Sequence, residues 1–193
     1  DYSLRLLVRD PAKLSIRGKG IEPIQGDIRD RTSVRKALQG CDGVLHLAAV
    51  VKRWARRQSL FEEVNVEGFR NVAESAWERG VQRFLYTSSV LALDPTENAP
   101  RRNLAANAYV ASKQKALALA RTYQKENRPL TIMIPTLLYG PGNWTEGNHI
   151  SSMLKSLLSG TFPGWIDGGR WRWNFAYVED VAAGYRLTIE KGK

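Results

Sequence analysis

Gly43-Val44-Leu45-His46-Leu47, the run from Ser59 to Arg79, and Arg83-Phe84-Leu85-Tyr86-Thr87 together decide the fold. The first and last pieces are short and apolar, the pattern of strands covered on both faces. Between them Phe61, Val64, Phe69, Val72, Ala73 and Ala76 recur at helical spacing, and Gly80 closes the run. A strand, a helix long enough to cross back and a second strand make a parallel unit.

The same alternation continues outward. Upstream, Leu4-Arg5-Leu6-Leu7-Val8 is a strand stopped by Asp10-Pro11, and Ile21 to Ile28 carries a second that ends near Gly26-Asp27. Thr32 to Leu38 is a short helix with Asp30 as its N-cap and Gly40 past its end. Downstream come a helix at Tyr109–Asn127, a strand at Leu130–Ile134, a helix at Ile150–Leu158, a strand at Trp173–Val178 and a helix at Glu179–Glu190. The expectation is an α/β fold with a doubly wound parallel sheet, helices on both faces, and one domain over residues 1–193. Ligands in such sheets bind beyond the carboxyl ends of the strands, so the residues just after each strand carry the most information.

Composition removes several classes. At 43% hydrophobic and 25% charged, the 193 residues are those of a globular domain, not of collagen, a coiled coil or a low-complexity chain. The longest apolar run, Val44 to Val51, is broken by His46 and falls short of the roughly 20 residues that span a bilayer. No signal-peptide pattern opens the chain, which starts at Asp1. The single cysteine, Cys41, excludes an internal disulfide and fits a reducing compartment, so a cytoplasmic location is expected. His46 and His149 lie far apart without ligand spacing around them, so no metal site is expected.

The net charge of +10 raises the question of nucleic acid. Basic residues alternate with tryptophan at Lys52-Arg53-Trp54-Ala55-Arg56-Arg57 and at Arg170-Trp171-Arg172-Trp173. Such clusters can stack on bases. The plainer reading, a solvated basic face beside partly covered indoles, is preferred, and a third is attraction of an anionic ligand.

Tyr109-Val110-Ala111-Ser112-Lys113 carries the clearest chemistry. Residues four apart share one helix face, so the phenol and the ammonium can bracket one ligand. An ammonium nearby favours the phenolate and lowers a pKa that is ordinarily about 10. Tyr86-Thr87-Ser88-Ser89 ends a strand upstream, and a hydroxyl there can polarise a substrate carbonyl. Read alone, each feature has a bland alternative: a surface pair, and a hydroxyl capping a turn.

Eight segments in order resemble the extended short-chain dehydrogenase/reductase superfamily, the NAD(P)-dependent epimerase/dehydratase group, with dihydroflavonol-reductase-like members nearest. They are Leu7–Asp10, Gly26–Ile28, Leu45–Ala49, Val64–Gly68, Tyr86–Ser89, Tyr109–Lys113, Pro135–Gly142 and Val178–Ala182. The resemblance implies a Rossmann-type fold and an oxidoreductase that reduces a ketone or oxidises an alcohol. It implies Tyr109 as general acid/base, Lys113 as the group that lowers its pKa and holds the nicotinamide ribose, and Ser89, ahead of Ser88, as the group orienting the reacting oxygen. Asn65 would support Lys113 from the long helix. Asp27 and Ile28 would lie along the adenine, His46, Ala48 and Ala49 beside the cofactor backbone, and Pro135 and Thr136 near the nicotinamide. Arg9 follows the family's second strand, where arginine suits the 2′-phosphate of NADP and an acidic residue would suit NAD. NADP is therefore expected, with NAD as the alternative. Substrate-pocket segments would fall around residues 140–175, with Trp144, Trp165, Trp171 and Trp173 as candidates, and a homodimer would pair through the long helices.

The sequence departs from the family at two points. The family's C-terminal substrate region, which continues past the helix ending near Glu190, is expected to stop short here. No glycine-rich G-x-x-G-x-x-G turn precedes Leu4, and Gly18 and Gly20 stand in the wrong place for it. The chain is expected to lack the family's first βα unit, whose strand would lie between those at Leu4–Val8 and Gly43–Leu47, and to be part of a longer domain. Two further readings stay open: a nucleotide-sugar epimerase or dehydratase, the latter disfavoured by Val90-Leu91-Ala92 after Ser89, and a non-catalytic nucleotide-binding protein.

Overall fold

The computed structural model describes residues 2–52, 54–93, 107–142, 149–164, 166–170 and 172–192. Its strands are β1 (Leu4–Val8), β2 (Ile21–Gln25), β3 (Gly43–His46), β4 (Arg83–Thr87), β5 (Leu130–Met133), β6 (Leu137–Tyr139) and β7 (Phe175–Tyr177). Its helices are α1 (Arg31–Ala37), α2 (Ser59–Glu62), α3 (Phe69–Glu78), α4 (Ala108–Lys125), α5 (His149–Leu158) and α6 (Val178–Lys191). Every strand pairing is parallel. β1 pairs with β2, β3–β4–β5 form a second set, and β6 pairs with β7. Among the described residues β1 and β3 each have a ladder on one side only. One helical layer nevertheless runs under both, because α1 packs on β1 and on α3, and α3 packs on β3.

Strand alternation places helices on both faces. Phe84 and Tyr86 of β4 point into the core with Phe69, Val72, Ala73 and Ala76 of α3 and Ala116, Ala120 and Tyr123 of α4. Phe69 stacks on Tyr86 with ring centroids 4.1 Å apart. Arg83 and Thr87 face the other way, toward α6. Arg83 Nη1 donates to the carbonyls of Ile189 and Glu190, and Tyr185 Oη donates to Thr87 Oγ1 at 2.9 Å.

The helix ends follow their sequence signals. Asp30 caps α1 by accepting from Thr32 N and Ser33 N, and Asn107 caps α4 by accepting from Tyr109 N. Asn127, with φ 58°, ends the run after α4 in the left-handed conformation that asparagine tolerates. β2 is shorter than its apolar run, ending at Gln25, because the chain turns at Gly26 to reach the α1 cap.

The predicted helix Ser59–Arg79 is not uniform. Between α2 and α3, residues Glu63–Gly68 form a π-helical segment, which holds one extra residue per turn. The extra residue turns Asn65, Val66 and Gly68 inward together. Gly68 has ordinary helical dihedrals; a Cβ there would lie 2.6 Å from Ile28 Cδ1 and 2.8 Å from Cγ1. Its missing side chain therefore lets Ile28 close on the helix. Gly68→Ala is expected to lower stability by about 1 kcal/mol, where an unhindered helical glycine would gain up to about that much. Urea unfolding tests the sign, and a gain would show that Ile28 yields freely.

Candidate functional site

The carboxyl ends of β3, β4 and β5 bring the site together. Beyond β4 and β5 the chains stay in register, with Ser88 N donating to Met133 O at 2.8 Å and Val90 N to Pro135 O at 3.2 Å. This sets Pro135 beside the Ser88–Ser89 turn. Ser89 Oγ accepts from Leu91 N at 3.2 Å, capping a single 3₁₀ turn at Val90–Ala92. The same hydroxyl lies close enough to the phenol of Tyr109, in the first turn of α4, to influence its ionisation. Burial pushes the Tyr109 pKa up, and the Ser89 contact draws it back.

Lys113, one turn on, is buried. Its Nζ donates to Thr87 O at 2.8 Å and lies 5.4 Å from the centroid of the Tyr86 ring. Burial brings its pKa down from 10.5 to about 8. The ammonium thus sits on the β4 carbonyl, and the acidifying contact of the Tyr109 phenol is Ser89. His46, at the end of β3, stacks against Tyr86 at 6.0 Å, and burial together with the nearby Lys113 pushes its pKa down to about 3. It is a neutral packing ring at neutral pH. Tyr86 Oη and Ser88 Oγ are buried without a well-formed hydrogen bond.

Asn65 reaches the site from the π-helical segment. Its side chain accepts from Val50 N at 2.7 Å and donates to Val50 O at 3.2 Å and to Ser112 Oγ at 2.9 Å. It therefore clamps the loop after β3 to α4, through Ser112 and not through Lys113. Ala48 and Ala49 precede Val50 in that loop, Ala48 exposed and Ala49 half-buried.

At the end of β2, Asp27 is gripped by a two-pronged contact, Arg29 Nε to Oδ1 at 3.1 Å and Nη2 to Oδ2 at 2.7 Å. Arg29 holds the Asp27 carboxyl below the usual carboxylate range, with Arg9 adding a weaker pull. Arg29 also pairs with Glu63, which Arg57 reaches from the basic loop at 2.8 Å. Asn71 holds the Ile28 and Arg29 carbonyls. Together Asp27, Arg29, Asp30, Glu63, Glu67 and Asn71 line an open cleft of ≈ 420 Å³. Arg9 is exposed at the end of β1. Thr136 lies past β5 and donates to Asn174 O at 2.7 Å.

The sequence reading did not single out Arg29, Asn71 or Ser112. Ser112 lay inside the Tyr109–Lys113 motif as a spacer, and Arg29 two residues from Asp27. Of the tryptophan candidates, Trp173 is exposed, whereas Trp144, Trp165 and Trp171 fall outside the described residues, as does Arg53. Among the described residues no three His, Cys, Asp or Glu side chains are placed to hold a metal ion, and no helix is long and apolar enough to cross a membrane.

A nicotinamide dinucleotide suits these groups. Lys113 commits one N–H to Thr87, Tyr109 presents a hydroxyl beside Ser89, Ile28 offers an apolar wall, and Arg9 stands exposed at the neighbouring strand end.

Comparison with known proteins agrees. The chain is 29% identical over its whole length to a putative dihydroflavonol 4-reductase of Synechocystis, of which it covers 57%. Over 84% of its length it is 33% identical to the N-acetyl-alpha-D-glucosaminyl-diphospho-ditrans,octacis-undecaprenol 4-epimerase of Escherichia coli O157:H7, covering 53% of that protein. Among solved structures it superposes with a TM-score of 0.74 on DesIV, a dTDP-glucose 4,6-dehydratase of Streptomyces venezuelae with NAD and TYD bound. That match has 27% identity and covers 91% of this chain and 56% of DesIV. The chain thus spans just over half the length of these relatives. The profile of the NAD dependent epimerase/dehydratase family matches residues 2–193, and with the parallel α/β architecture this places the chain in that family.

Proposed function

We propose that this chain carries the acid/base centre of an NADP-dependent oxidoreductase that reduces a ketone or oxidises an alcohol. The observation that carries the reading is the meeting of three groups at the β4 exit: the Tyr109 phenol, Ser89 near it, and buried Lys113 one helical turn on, its Nζ on Thr87 O at 2.8 Å. The dinucleotide, when bound, supplies or accepts the hydride. Tyr109 gives a proton to the substrate oxygen during reduction and takes it back during oxidation. Ser89 orients that oxygen. Lys113 donates to ribose hydroxyls with the N–H groups it does not use on Thr87. Asp27 and Ile28 flank the adenine, His46, Ala48, Ala49, Pro135 and Thr136 line the rest of the dinucleotide, and Asn65 fixes the loop at Val50.

Arg9 supports NADP. It is exposed at the end of β1 and offers a fork of donors to a 2′-phosphate. The test is a fluorescence titration of the natural full-length protein with NADPH, for which saturable binding is expected and its absence would reject the reading. Arg9→Asp is expected to weaken NADPH by at least about tenfold, a loss of about 1.4 kcal/mol, and NADH far less. Equal losses would reject the phosphate assignment.

A second reading is a nucleotide-sugar epimerase, in which the same Tyr109 and Lys113 serve a cofactor that is oxidised and reduced again within one cycle. The likeness to the Escherichia coli 4-epimerase, whose sugar is carried on undecaprenol diphosphate, supports epimerisation of a diphosphate-linked sugar but not the nucleotide carrier. Consumption of added NADPH in step with turnover favours the reductase, and turnover without net consumption favours the epimerase.

A further inference from the structure

We propose that Ser112 is a positioning residue for Tyr109, acting as the joint of a hydrogen-bonded chain that fixes the first turn of α4 against the loop after β3. This rests on the reading of Tyr109 as the acid/base group. The chain runs from Val50, whose N–H and carbonyl are both held by the Asn65 side chain, through Asn65 Nδ2 to Ser112 Oγ at 2.9 Å. From there Ser112 Oγ donates to Tyr109 O at 2.7 Å. Asn65 is 3% exposed and Ser112 2%, so neither side chain has water to fall back on.

The connection is directional and specific to Tyr109. A serine inside a helix ordinarily bonds back to a carbonyl three or four residues earlier, which spends its one proton. Here that carbonyl belongs to Tyr109, and the lone pairs left on Ser112 accept from another element. The hydroxyl thus ties the Tyr109 peptide to the π-helical segment at Asn65. The phenol of the same residue lies near Ser89, in the turn just past β4. Two restraints set the position of the Tyr109 backbone: its own helix α4, and the π-helical segment, where Asn65 also holds the β3 loop at Val50. Without the Ser112 hydroxyl, Asn65 Nδ2 loses a partner and the first turn of α4 is free to drift. The phenol then shifts relative to Ser89, whose nearness draws its pKa down against the rise that burial causes.

The test reads the phenol directly and needs neither substrate nor cofactor. In the natural full-length protein, the ultraviolet absorbance change on phenolate formation at Tyr109 is isolated by subtracting the titration of Tyr109→Phe. Ser112→Ala is expected to move that titration to higher pH, and Ser112→Thr, which keeps the hydroxyl, to restore it. Amide exchange in the first turn of α4 is expected to quicken in Ser112→Ala. NADPH affinity, read by fluorescence, is expected to hold, because Asn65 keeps both bonds to Val50. An unmoved titration in folded Ser112→Ala, or equal shifts in the alanine and threonine variants, would overturn the proposal. If Ser112→Ala does not fold, Ser112→Cys keeps the volume with a weaker donor. It is then expected to shift the titration in the same direction, and no shift would overturn the proposal. Loss of the acid/base reading has a different signature, turnover surviving in Tyr109→Phe.

Discussion

Replacing Tyr109 with Phe is expected to cut turnover by about 10²–10⁴-fold and to leave NADPH binding essentially unchanged. The ring keeps its volume in the half-buried first turn of α4, and only the hydroxyl near Ser89 goes. Stability is expected to change by no more than about 1 kcal/mol, since one half-buried hydroxyl is removed and no other contact changes. Lys113 and its bond to Thr87 O are untouched, so the groups assigned to the ribose remain. Steady-state turnover beside a fluorescence titration separates the two quantities. Turnover near the parent level would remove Tyr109 from the chemistry.

Lys113→Met is expected to raise stability at neutral pH while abolishing activity. Burial lowers the Lys113 pKa from 10.5 to about 8, which corresponds to roughly 3 kcal/mol of folding free energy spent on keeping the ammonium charged. Methionine avoids that cost but gives up the bond to Thr87 O, worth about 1–3 kcal/mol with a charged donor. The expected net gain at pH 7 is therefore about 1 kcal/mol. The sign of the pH dependence follows from proton counting. Between pH 8 and 10.5 the unfolded chain holds a proton on Lys113 that the folded chain has released, so parent stability climbs with pH across that window. The methionine variant lacks this climb, and its advantage should vanish as pH passes from 8 toward 10.5. Denaturant unfolding at several pH values measures both curves. An advantage that does not change with pH would show that the lysine carries no burial penalty.

Much of this was legible in the residues. Parallel pairing followed from strands whose apolar side chains serve two faces, as in Phe84-Leu85-Tyr86. The caps at Asp30 and Asn107 are local chemistry, a carboxylate or amide within reach of free N–H groups, although only Asp30 was anticipated. The π-helical segment escaped because Phe61 and Val64 and then Phe69, Val72 and Ala76 each fit an α-helix; the clue was the five-residue step from Val64 to Phe69. β6 escaped because Leu137–Tyr139 was read only as part of the Pro135–Gly142 segment and not as a strand. At the site, the shared helix face of Tyr109 and Lys113 was readable from spacing, whereas Ser89 was singled out through the family resemblance. That Asn65 meets Ser112 and Val50 was not, since it depends on the extra residue in the π turn. Nor was the grip of Arg29 on Asp27, a side-chain choice between two acidic partners, Asp27 and Glu63.

The attachment of α6 to β4 has a consequence for the order in which the chain can mature. Thr87, whose carbonyl receives Lys113, is braced by Tyr185, made 98 residues later, and Arg83 finds its acceptors 106 and 107 residues on. On a ribosome, β4 emerges with one face covered by α3 and then α4, while its other face waits for α6. The lysine can be seated early, but its seat is completed only near the end of this segment's synthesis. During that interval the α6-facing side of β4 is the surface most open to mispairing and to chaperone capture.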